Sequence, residues 1–173
     1  MHILSYPCPG LWLYTGSMIR KIIVFLGSII ASCAAGAIGS LATASNIPTW
    51  YAALEKPTLN PPNEVFGPVW TVLYVLMGVA LALVILEHTK LAKKSAYCWF
   101  GIQLALNAAW SFVFFGLHMP ELGIVVILLL LASILMTIRA FYGIKKAAAW
   151  LLLPYIGWVS FATYLTVAIA ILN

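Results

Sequence analysis

Gln103, Asn107, Trp110, Ser111 and Phe114 follow one another at helical spacing, so a helix carrying them would show one stripe of amides and rings. Trp158, Phe161, Ala162 and Leu165 form a second stripe, and Trp70, Tyr74 and Met77 a third. Amide and indole N–H groups donate hydrogen bonds, and aromatic faces stack on flat partners. That is the chemistry of holding a molecule rather than breaking one. Acid–base work has little to draw on, because the chain has no Asp and its only acids are Glu55, Glu64, Glu87 and Glu121. His88 and His118 fall in or beside connections, with no nucleophile–base pair nearby, so no catalytic residue is assigned. Cys8, Cys33 and Cys98 are scattered, without the spacing of a disulfide frame or a metal site.

The elements that carry these stripes are apolar throughout. Of 173 residues, 64% are hydrophobic and 8% charged, against about 25% charged in a soluble domain. No Lys, Arg, Asp or Glu falls in 22–54, 65–86, 95–120, 122–138 or 147–173. A spanning helix needs about 20 apolar residues. The expectation is an all-α integral membrane protein, a bundle of five helices at about 22–44, 67–86, 96–117, 120–142 and 147–171. Residues 1–18 read as a poorly defined extension before the membrane domain at 19–173, with Met18 an alternative start. Pro68 and Pro120 are expected in first helical turns, where a missing N–H costs nothing. Pro154 should bend the last helix or free a carbonyl in it.

Eight lysines and arginines fall on one side of this arrangement and Lys56 alone on the other. The positive-inside rule then puts the N-terminus inside and the first connection outside. The net charge of +5 reports topology, with no nucleic acid partner and the lipid bilayer as the surrounding one. That connection, "WYAALEKPTLNPPNEVFGPVW" from Trp50 to Trp70, is long, stiffened by Pro57, Pro61 and Pro62, and framed by tryptophan. At about 1.5 Å per residue, Asn107 lies roughly 17 Å from the inner end of its helix, Trp110 about 21 Å and Trp158 about 17 Å. Trp70, Trp110 and Trp158 therefore populate the half nearest the connection, which is expected to lid an aromatic cavity. Trp99 and Trp150 open their helices and suit an interfacial belt. Ser28, Ser32, Gly36 and Ser40, beside Ala31, Ala35, Gly39 and Thr43, should let helix backbones approach closely.

The stretches "WYAALEKPTLNPPNEVFGPVWTVLYVLMG", "QLALNAAWSFVFFG" and "PYIGWVSFATYL" resemble the translocator protein family, also called tryptophan-rich sensory proteins or peripheral-type benzodiazepine receptors (TspO). The resemblance runs from Ile19 to Leu172. It implies a five-helix bundle, commonly a homodimer in a prokaryotic cell membrane, that binds a porphyrin or haem-like tetrapyrrole under the first loop. No obligatory cofactor is implied. By motif, the binding residues would be Trp50, Lys56 and Pro57 in the loop, Trp70 and Tyr74, Asn107 and Trp110, and Trp158 and Ala162. Two loop positions depart from the family: Leu59 stands where tryptophan is common, and Glu64 replaces a frequent aromatic. The animal cholesterol motif lacks its basic residue after "FAT". The resemblance leaves three functions open: a tetrapyrrole sensor or receptor, a transporter without ion coupling, and an enzyme that degrades porphyrin in light.

Overall fold

The computed structural model describes residues 9–89, 91 and 93–173, with side chains from Met18 onward. Five segments are long and apolar enough to cross a membrane: Met18–Thr43, Asn63–Leu86, Lys94–Gly116, Pro120–Ile144 and Lys146–Leu172. No strand occurs among the described residues. The first segment belongs to a longer helix, α1 (Pro9–Thr43), so helix precedes the membrane domain's expected start. The rest of the extension lies outside the described residues.

Three boundaries differ from the expected ones, each for a local reason. The second helix, α2, runs Asn63–Leu86 and starts directly after Pro61-Pro62. Pro62 is extended (φ −54°, ψ 145°), so the helix begins at the residue that follows it. Pro68 thus lies inside α2 rather than in its first turn, and one rung of the hydrogen-bond ladder is missing there. The third helix, α3 (Lys94–Ser111), continues as a π turn over Phe112–Gly116, which buries Phe114 and Phe115 although they are adjacent in sequence. The fourth, α4, spans Pro120–Ile144 with Pro120 in its first turn, as expected. The last span is broken into α5 (Lys146–Trp150) and α6 (Leu153–Leu172), with the interruption at Leu151-Leu152, just ahead of Pro154.

Close backbone approach holds the front of the bundle. α1 packs on α2 and α3, and α4 packs on α3 and α6. A Cβ added to Gly78 would overlap the backbone of Ile29, and one on Gly36 would overlap the Tyr74 ring. Ser28, Ser32 and Gly39 are buried, but Ala31 and Ser40 face outward. A four-residue step overshoots the 3.6-residue turn, so a ridge from Ser28 to Ser40 rotates by about 120° and leaves the interface. The small-residue row is therefore only partly a packing surface. α2 and α6 are linked chiefly by rings, through the pairs Phe66–Trp158 and Trp70–Tyr155.

The end carrying the lysines is fastened by charge. Lys93 Nζ donates to the free carbonyls of Ile85 (3.0 Å) and Glu87 (2.7 Å) at the end of α2. Glu87 in turn pairs with Lys145 at 2.9 Å.

Candidate functional site

The amides at membrane depth find partners inside the bundle. Tyr74 Oη donates to Asn107 Oδ1, Asn107 Nδ2 donates to Tyr155 Oη (3.1 Å), and Tyr155 Oη donates to Gln103 Oε1 (2.8 Å). Gln103 Nε2 reaches Met77 Sδ at 3.7 Å. Gln103, Asn107 and Tyr155 are all within 2% of full burial. Hydrocarbon cannot satisfy such groups, so three helices knot them together. Both ends of the Asn107 amide are thereby engaged by tyrosines. Trp70 stacks on Tyr74 at 5.6 Å and meets the Tyr155 edge at 6.3 Å, so it also belongs to this knot.

Toward the loop end the character changes from amide to ring. Trp110 stacks on Phe114 at 5.3 Å and meets the edge of Phe115 at 5.8 Å. Together with Tyr51, Phe66 and Ala162 these rings line a small void of about 20 Å³. Trp110 Nε1 and Trp158 Nε1 are buried and have no hydrogen-bond partner among the described residues. Trp158 does not line the void. It lines an open lateral groove of about 620 Å³ between α2 and α6.

The loop folds down on this aromatic chamber and is clasped at several points. Ile47–Tyr51 forms a π turn. Trp50 stacks on His118 at 4.4 Å and meets Phe114 and Phe115 edge-on, while His118 Nε2 hydrogen-bonds Asn46 Oδ1 at 3.0 Å. His118 adopts φ 56°, a backbone shape that side-chain-bearing residues seldom take without compensation. Glu55 N–H donates to Asn173 Oδ1 (2.9 Å), and Asn173 Nδ2 donates to the Glu55 carbonyl (3.1 Å). Tyr51 Oη donates to Asn60 Oδ1 at 2.7 Å. Burial pushes the Tyr51 phenol above its ordinary range, partly offset by that hydrogen bond. Lys56 Nζ donates to the carbonyls of Ala52 and Leu54 and lies 5.0 Å over the Tyr51 ring. Its ammonium is spent on the loop itself. Pro57 accepts from Asn60 N–H at 2.9 Å, closing the turn that presents Leu59, which is 65% exposed.

The residues expected in one cavity thus fall into four places. Trp110 and Ala162 border the void, while Trp70, Tyr74 and Asn107 form the knot. Trp158 lies on the lateral groove, and Trp50, Lys56 and Pro57 brace the loop. Tyr51, Phe66, Phe115, His118, Tyr155 and Asn173 were not foreseen as contributors. Tyr155 had a signal: two buried amides need donors, and a tyrosine in a facing apolar helix can supply one.

Five spanning helices around a polar knot, capped by a clasped loop over rings, define a polytopic α-helical membrane protein with an internal aromatic chamber. The TspO/MBR family model matches residues 28–172, and the chain belongs to that family. It is 43% identical over 153 residues to the tryptophan-rich protein TspO of Archaeoglobus fulgidus, covering 88% of this chain and 99% of that one. It is also 43% identical over 156 residues to the TspO of Chlorobaculum tepidum, covering 89% and 99%. The human translocator protein is 41% identical over 119 residues, 67% of this chain and 70% of that one.

Proposed function

We propose that this protein is a membrane receptor or sensor for a flat, hydrophobic tetrapyrrole of the porphyrin or haem type, held in the aromatic chamber beneath the loop. The observation that carries this reading is the buried indole N–H of Trp110, a residue of the ring-lined void, which has no hydrogen-bond partner among the described residues, with Trp158 Nε1 a second such donor on the adjoining groove. A buried unpaired donor costs about 1–3 kcal/mol, which a ligand acceptor would recover. Rings on several sides suit a macrocycle face. A void of about 20 Å³ has room for little more than one water, so binding requires Phe66, Phe114 or Phe115 to swing aside.

The proposed orientation puts the lysine-rich end inside and the loop outside. A homodimer is proposed as the working unit, supported by an outward row of Gly27, Ala31 and Ala34 on α1 that permits close helix approach. Passage of the same ligand is the runner-up. Ion coupling is not invoked, because Glu64 and Glu121 stand in first helical turns and no acid lies at mid-span.

The test is an absorbance titration of purified protein with protoporphyrin IX, dark and illuminated. Saturable binding that Trp110→Phe weakens several-fold is expected, the worth of about 1 kcal/mol of hydrogen bond. No saturable spectral shift with wild type overturns the reading. Illumination that bleaches bound porphyrin faster than a protein-free control replaces it with the degradative one.

A further inference from the structure

The chamber is shut from above by clasps at Asn46–His118 and Glu55–Asn173. It is separated from the bilayer by much less. The lateral groove is lined by Pro68, Val72, Pro154, Gly157, Trp158 and Phe161, among others, and carries no ionisable group. Behind it, Trp158 meets Phe66 edge-on at 5.9 Å, and Phe66 lines the inner void. One pair of rings is therefore the wall between a 620 Å³ groove and the chamber.

That wall is weakly held. Among the described residues the Trp158 N–H has no partner, so turning the indole aside breaks no hydrogen bond there. Both flanking helices are interrupted nearby: Pro68 removes a rung of α2, and α6 begins beside Pro154 after the break at Leu151-Leu152. A methyl group added to Gly157 would meet nothing within 4 Å, so the groove floor is open space.

We infer that the α2–α6 groove is a membrane-side vestibule for the ligand and that Phe66–Trp158 is its door, so a flat uncharged ring reaches the chamber from the bilayer and not beneath the loop. This rests on the proposed function and adds to it the route and the charge state. A neutral lining with no ionisable group penalises a charged substituent and admits an uncharged one.

The test measures stopped-flow tryptophan quenching by protoporphyrin IX dimethyl ester, with protein in phosphatidylcholine nanodiscs. Gly157→Leu fills the groove while raising helix propensity, so folding is retained. It is expected to slow association about tenfold, within the range over which mutations move association rates. Dissociation should slow by the same factor, leaving Kd unchanged. Phe66→Ala removes half of the door and should speed both rates, whereas Asn46→Ala, which loosens the loop by deleting the bond to His118, should change neither. Unchanged rates in Gly157→Leu with faster binding in Asn46→Ala assign the route to the loop and overturn the inference. Weaker affinity in Gly157→Leu at an unchanged association rate makes the groove the final site and overturns it too. Wild type that binds no porphyrin at equilibrium removes the proposed function, and this inference with it. Rates that ignore Gly157→Leu while wild type still binds remove the inference alone.

Discussion

The polar knot and the aromatic chamber lie within the same helices, yet they treat buried polar atoms in opposite ways. In the knot, Gln103, Asn107, Tyr74 and Tyr155 exchange hydrogen bonds until both ends of each amide are engaged. A few residues further along α3, Trp110 keeps a buried N–H with no partner among the described residues, as does Trp158 on α6. A satisfied network fixes helices relative to one another, while an unsatisfied donor leaves free energy for a ligand to recover. The difference teaches where this bundle is built to be rigid and where it is built to change.

Tyr155→Phe should break that comparison most severely. It keeps the ring but orphans Asn107 Nδ2 and Gln103 Oε1, at a cost of about 2–3 kcal/mol. Unfolding in mixed micelles at increasing SDS would register the loss, and a variant as stable as wild type would mean the knot is not structural. His118→Ala comes next, removing the stack on Trp50 and the bond to Asn46 for about 1 kcal/mol, felt locally. Amide exchange should quicken over Ile47–Tyr51 and stay slow in α3 and α4. Uniformly faster exchange would show that the clasp holds the whole bundle. Trp110→Phe should move apo stability by under about 0.5 kcal/mol, since relief of the buried unpaired donor and the packing lost with the smaller ring oppose one another. A large loss would reveal a partner for that N–H and erase the contrast between the two regions.

The faintest effect is one of pH. Burial raises the Tyr51 phenol, so the folded loop disfavours tyrosinate. The clasp to Asn60 is fully present below the ordinary tyrosine pKa of about 10 and is lost as pH rises through the higher folded value. Exchange over the loop should accelerate in that alkaline window in wild type and much less in Tyr51→Phe. Equal acceleration in both would assign the change to another group.

The spans were legible because charge is excluded from hydrocarbon, and gaps between charges therefore bound helices to within a few residues. Pro68 was misplaced because the helix start depends on Pro62 staying extended, a matter of backbone shape that composition does not report. Periodicity put Trp110 with Phe114, and Trp158 with Ala162, on shared faces. It could not say which neighbour each face meets, so a single cavity was expected where the structure separates chamber, knot and groove. The loop was the least legible part. Lys56 was expected among the binding residues, but its partners are carbonyls that converge only once Ala52–Leu54 has turned. His118 and Asn173 reach the loop from distant points in the chain, and no local pattern announces them.

Gly78 and Gly157 are the same letter in the same kind of helix, with opposite mutational fates. At Gly78 the backbone of Ile29 fills the place of a Cβ, and every missense change adds one. Each such change is therefore a step off the fold. At Gly157 the same steps meet open space. Shape alone dictates glycine at the first position, while packing leaves the second free to carry a side chain.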